Sequence, residues 1–135
     1  MIKAVSHVAY RCRDMEKSLD FYCNVLGLSR AFVLSNDKGE PWIHYLKAAE
    51  GQFVELFYVS AYEPPFETDK LSCHHICLEV DDIEAVCGHI RDLGYPIDTA
   101  PMQGSDLNRQ AWLRDPDGNR IELMQMHPDS PQKNC

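Results

Sequence analysis

The chain has 135 residues, enough for one compact domain with a real core and too few for two independent ones. Its net charge of −8 and pI near 5.1 exclude a general nucleic-acid or acidic-membrane surface and leave small molecules as the expected partners. Six cysteines, with no secretory leader or long apolar run in view, predict reduced thiols in a cytoplasmic protein rather than a disulfide framework.

Residues 4–10 alternate and are rich in small and β-branched types, which predicts a strand with His7 on one face. Asp14 can cap a helix whose apolar residues Met15, Leu19, Tyr22, Val25 and Leu26 follow helical spacing, with Gly27 as the left-handed stop. Residues 29–35, 42–48 and 53–59 read as three strands, separated by the turn formers Asn36 to Gly39 and by Glu50-Gly51. The stretch 60–71, with Pro64-Pro65 and several acids, suits a linker. The scheme then repeats. A strand over 74–80 leads to Asp82 as cap, a helix with Ile83, Val86, Ile90 and Leu93 along one stripe, and Gly94 as its stop. A short strand near Ile97 follows, then strands 108–114 and 120–126 joined by the turn Asp115-Pro-Asp-Gly118. Residues 127–135 are polar and proline-rich, and are expected to fray.

The fold class is therefore α+β: two tandem βαβββ modules, about 1–59 and 72–126, forming a curved mixed sheet in a single domain over 1–126. The repeat carries chemistry with it. His7 to Asp14 lies over His75 to Asp82, and Val54-Glu55-Leu56 lies over Ile121-Glu122-Leu123, at a spacing of 68 or 67 residues (75 − 7 and 122 − 55). Glu55 and Glu122 sit among apolar strand neighbours, where a carboxylate without a cation or a proton is costly. Two imidazoles and two carboxylates, His7, Glu55, His75 and Glu122, suit one divalent transition metal with open positions: Ni, Co or Zn, with Mn or Fe as alternatives. His74, next to His75, is expected on the opposite strand face and away from the metal. Cys12, Cys23, Cys77 and Cys87 are expected as small core residues, and the absence of a Cys-x-x-Cys pair argues against a zinc knuckle.

The chain resembles the vicinal oxygen chelate superfamily of glyoxalases, bleomycin-resistance proteins and extradiol dioxygenases. The resemblance rests on His7 opening a strand, on Ser18-Leu-Asp-Phe-Tyr22 leading to Leu26-Gly-Leu28, on His75 to Ile83, and on Asp115-Pro-Asp-Gly-Asn-Arg-Ile-Glu-Leu123. Within it the chain is most similar to glyoxalase I. That similarity implies a metal-dependent lyase or isomerase moving a proton beside a chelated carbonyl, on a thiol adduct such as a methylglyoxal hemithioacetal. It implies Glu122 as the base, Glu55 assisting on the opposite face, and Arg11 pairing with a carboxylate of the thiol carrier. Position 59 is Val where many glyoxalases have Asn. The similarity of Cys73 to Ile83 to methylmalonyl-CoA epimerases implies an acyl-CoA epimerase as an alternative, and the bleomycin-resistance members imply a non-catalytic small-molecule binder as another. Family members close such sheets by pairing modules, so a homodimer is expected.

Overall fold

The computed structural model describes residues 5–58 and 74–134. The expected linker 60–71, Val59 and Cys73 lie outside the described residues. The chain divides into two compact units, Met1–Phe66 and Glu67–Cys135, and each repeats the same plan.

In the first unit β1 (His7–Cys12) is followed by α1 (Met15–Asp20), then by β2 (Ser29–Ser35), β3 (Pro41–Ala49) and β4 (Gln52–Tyr58). The sheet order is β1-β4-β3-β2. β1 runs parallel to β4, while the β3–β4 and β2–β3 pairs are antiparallel. The Asp14 carboxylate accepts from the Lys17 amide at 3.2 Å, which satisfies one of the unpaired donors of the first helical turn. The predicted helix is not uniform: Phe21–Val25 is a π-helical stretch, with the Leu26 amide donating to the Phe21 carbonyl at 3.0 Å. The wider turn lets the consecutive residues Phe21 and Tyr22 both be fully buried, which helical periodicity alone does not anticipate. Gly27 ends the segment at φ +78°.

The second unit has β5 (Ile76–Glu79), α2 (Ile83–Asp92), β6 (Thr99–Gln103), β7 (Arg109–Arg114) and β8 (Arg120–Gln125). Its sheet order is β5-β8-β7-β6, again with the first and last strands parallel. Asp82 caps α2 through the Ala85 amide at 3.0 Å. The helix buries Ile83, Cys87 and Ile90. Leu93, expected on that stripe, is 48% exposed, because the helix ends at Asp92 and Leu93 sits at the C-cap.

Alternation divides each sheet into two faces. One face is apolar: in the first unit β4, with Val54 and Leu56 buried, packs on α1, which buries Leu19, and Leu46 is the register partner of Val54 on the same face. Its counterpart in the second unit is Ala111, Leu113, Ile121 and Leu123 against Ile83, Cys87 and Ile90. Burying each of the larger of these side chains stabilises by about 1.5–3 kcal/mol. The other face carries His7, Ala9 and Arg11 in register with Phe53, Glu55 and Phe57. Its counterpart carries Cys77 in register with Glu122.

Two expectations change. Cys77 is exposed, because β5 places it on the Glu122 face and not on the helix face. The C-terminal residues do not fray throughout: the His127 amide donates to Asn108 Oδ1 at 2.9 Å, and Ser130 is fully buried. A chain of local turns, with the Asn134 amide group donating to the Pro128 and Ser130 carbonyls, holds the segment compact.

Candidate functional site

Parallel pairing determines where each histidine meets its carboxylate. Ala9 pairs with Glu55 and Cys77 pairs with Glu122, and these are equivalent steps of the repeat. The histidine two residues earlier then reaches diagonally to the carboxylate. His7 Nδ1 lies 3.2 Å from Glu55 Oε1, and His75 Nε2 lies 3.1 Å from Glu122 Oε2. Both carboxylates are buried, Glu55 at 4% and Glu122 at 6% exposure, while the imidazoles remain partly open. The structure thus forms one His–Glu pair in each unit. Within either unit, among the described residues, no third side chain completes a group able to hold a metal.

The first pair has the separation of a hydrogen bond but not its alignment, so Glu55 Oε1 is buried with no hydrogen-bonding partner. An orphaned carboxylate oxygen facing an imidazole nitrogen is the electrostatic complement of a cation. Two donors bound to one ion at about 2.1 Å lie about 3.0 Å apart when their bonds meet at right angles. The observed separations of 3.2 and 3.1 Å are close to this, so the donors present fit a divalent metal.

The surroundings of the two pairs differ. Tyr45, in register with Glu55 across β3–β4, hydrogen-bonds its carboxylate, and that bond together with burial and the carboxylate charge raises the phenol above its ordinary 10.0. Tyr45 also stacks on Phe32 with centroids 4.2 Å apart and meets Phe53 edge-on at 6.3 Å. These three rings form an aromatic wall beside Glu55. In the second unit Trp112 is the register partner of Glu122 and meets His75 edge-on at 4.9 Å. The Arg120 guanidinium lies 4.5 Å over the Trp112 ring and contacts His74 Nε2 at 2.6 Å. His74 Nδ1 is 2.8 Å from His75 Nδ1. His74 was expected on the opposite face, but it precedes the first residue of β5, so strand alternation does not constrain it and it turns toward Arg120 and Trp112.

Burial and the adjacent Glu122 push the Cys77 thiol up to about 12, even though the residue as a whole is exposed. Arg11 lies on the His7 face, two residues beyond Ala9, and lines an open cavity of about 230 Å³ with Ala9, Tyr10 and Phe57. The Asp115-Pro-Asp-Gly-Asn segment is structural. The Asp115 carboxylate accepts from the Asp117 and Asn119 amides and from the Asn119 side chain at 2.8–3.0 Å, which closes the β7–β8 turn. Tyr45, Trp112 and Arg120 were not singled out from the sequence, although Tyr45 and Trp112 occupy equivalent repeat positions, as do Phe53 and Arg120. The shared offset of two aromatic residues is the signal that would have found Tyr45 and Trp112, whereas Arg120 has no like residue at its repeat position.

Residues 4–123 match the sequence profile of the Glyoxalase/Bleomycin resistance protein/Dioxygenase superfamily. A probable lactoylglutathione lyase from Synechocystis sp. is 34% identical over 129 residues, covering 88% of this chain and 92% of that protein. A superfamily member from Sphaerobacter thermophilus has a crystal structure that superposes with a TM-score of 0.74 at 27% identity, over 93% of this chain and 98% of the other. TnmS3, an antibiotic binding protein from Streptomyces sp. CB03234, superposes with a TM-score of 0.71 at 26% identity, over 93% and 98% of the two chains. With its duplicated βαβββ modules and a His–Glu pair at the same register in each, the chain belongs to the Glyoxalase/Bleomycin resistance protein/Dioxygenase superfamily.

Proposed function

We propose that the protein is a divalent-metal-dependent lyase or isomerase of the glyoxalase I type, acting on a thiol hemithioacetal such as that of methylglyoxal. The observation that carries this reading is the matched pair of buried carboxylates, each 3.1–3.2 Å from an imidazole nitrogen. His7, Glu55, His75 and Glu122 would hold the ion, for which nickel, cobalt or zinc suits the donor set, with manganese or iron next. The bound ion would supply Lewis-acid stabilisation of negative charge developing on the substrate oxygens. Each module contributes one imidazole and one carboxylate, so four donors require two such pairs, from one chain or from the two copies of a C₂ homodimer.

In this reading Glu122 takes the proton from the carbon beside the carbonyl and returns it to the neighbouring carbon. Glu55 assists from the opposite face, its carboxylate held by the Tyr45 hydroxyl. Arg11, at the mouth of its cavity, pairs with a carboxylate of the thiol carrier. The aromatic wall of Phe32, Tyr45 and Phe53 excludes water from one side of the substrate. The relative named a probable lactoylglutathione lyase supports this choice, and the free cysteines among the described residues fit a reducing, cytoplasmic setting.

A second reading, a non-catalytic binder of small aromatic molecules, draws on the same wall and on the likeness to an antibiotic binding protein. Metal analysis of protein purified without chelator, together with exchange of the substrate's carbon-bound hydrogen in deuterated water, separates the readings. Exchange with the hemithioacetal, lost in Glu122→Gln with metal still bound, is the expected result. Exchange with a 2-methyl-branched acyl-CoA alone makes the protein an epimerase. Metal-loaded protein inert toward both substrates refutes the catalytic assignment.

A further inference from the structure

The contacts around His75 set the position of its proton, and they run opposite to the usual arrangement. A metal-binding histidine ordinarily donates its other ring N–H to an acceptor such as a carboxylate or a carbonyl. Here the neighbour of His75 Nδ1 is another imidazole, His74, at 2.8 Å. The far nitrogen of His74 meets the Arg120 guanidinium at 2.6 Å. Arginine has only donors and remains charged, so His74 Nε2 must accept. A neutral His74 accepting at Nε2 carries its proton on Nδ1 and donates it to His75 Nδ1. His75 is left with its proton on Nε2, the nitrogen that faces Glu122 Oε2 at 3.1 Å. Arg120 is itself held in place over Trp112, the ring against which His75 packs edge-on.

We infer that Arg120 and His74 form a hydrogen-bond relay that fixes metal-free His75 as the Nε2–H tautomer, with that proton directed at Glu122. Arg120 and His74 are thus positioning residues, acting through His75. The first module has no equivalent, since Phe53 stands at the repeat position of Arg120 and Ser6 precedes His7. A consequence follows that rests on the proposed metal site. A metal ion binding His75 through Nε2 must displace that proton, and moving a proton to Nδ1 reverses the His74 contact and sets His74 Nε2–H against the Arg120 donor. The relay therefore opposes metal entry, and breaking it should tighten metal binding.

The test has a metal-free arm and a metal arm. In chelator-treated protein near pH 8.5, where ordinary imidazoles are neutral, two-bond ¹⁵N–¹H correlation reads the tautomer of each histidine. Wild type and Arg120→Lys, which keeps a charged donor, should show His75 protonated at Nε2. His74→Ala and Arg120→Met, the latter keeping an apolar stack on Trp112, should show His75 shifting toward Nδ1–H. Wild-type His75 protonated at Nδ1, or a tautomer unchanged in both broken-relay variants, overturns the proposal. In the metal arm, competition with a zinc chelator should give tighter binding in both His74→Ala and Arg120→Met, by about tenfold if moving the His75 proton against the relay costs about 1.4 kcal/mol, whereas the loss of affinity usual when a ligand's hydrogen-bond partner is removed overturns the claim that the relay opposes metal entry. Tightening in Arg120→Met alone means simple charge repulsion and overturns the relay as the cause. If no variant and no wild type takes up metal while the tautomers behave as expected, the relay stands and the metal reading fails.

Discussion

Replacing Glu55 with Gln should stabilise the protein in the absence of metal and destabilise it, relative to wild type, in its presence. Glu55 is 4% exposed and its Oε1 has no hydrogen-bonding partner, so the folded chain holds a buried, half-satisfied carboxylate. An unsatisfied buried polar group costs about 1–3 kcal/mol. The glutamine amide has the same shape, its oxygen can still accept from Tyr45, and its NH₂ can donate toward His7. In chelator, Glu55→Gln should therefore gain about 2 kcal/mol, or about 6–10 °C in Tm for a chain of this length. Metal reverses the order. At a free concentration about 100 times Kd, a ligand binding only the folded state adds about 2.7 kcal/mol, and the variant, lacking an anionic donor, should receive little of it. Urea and thermal unfolding of both proteins, with EDTA and with nickel or zinc, measure all four stabilities. A Glu55→Gln protein less stable than wild type in EDTA, or one that gains as much from metal as wild type does, refutes the reasoning.

His44 and Cys77 give two further tests. Burial, with repulsion from Arg30 added and attraction to Glu16 opposing, holds His44 below its ordinary 6.5, so the folded state favours the neutral ring. That contribution is fully present above pH 6.5 and is lost as pH falls through the lower folded value. The stability difference between wild type and His44→Gln should thus be flat above about pH 7 and should shrink in acid, and a difference independent of pH down to 5 would contradict it. The Cys77 thiol, pushed up to about 12, should react with iodoacetamide at pH 8 at least about a hundredfold more slowly than free cysteine. Mass mapping of a rate within a few-fold of free cysteine would sink that expectation.

The architecture was legible because the chain writes it twice, once in each module. The capping aspartates, the positive-φ glycines Gly27 and Gly94 and the alternating strands recur at a spacing of 68 or 67 residues, so each element supports its counterpart. His7, Glu55, His75 and Glu122 were singled out for the same reason, and each histidine meets its glutamate within its own unit. What escaped was what the repeat does not share or periodicity does not encode. The π-helical turn arises from the need to bury adjacent aromatic residues, a tertiary demand. His74 was misplaced because alternation was extended two residues beyond the strand. Packing of 127–134 depends on Asn108, a fully buried residue whose side chain accepts from His127, and nothing local to the tail announces it. Arg120 differs from its repeat counterpart Phe53, so a search for shared residues passes over it.

The parallel pairing of β1 with β4 and of β5 with β8 makes each His–Glu pair indivisible. Antiparallel neighbours can be joined by a two-residue turn, so a pair of ligands on a hairpin survives in a short peptide, whereas parallel neighbours require a crossover connection. Here the crossover is the rest of the module: a helix and two strands lie between the histidine and its carboxylate. The smallest unit of this chain that can offer one imidazole beside one buried carboxylate is a complete module, and no excised hairpin or helix carries a fraction of that binding.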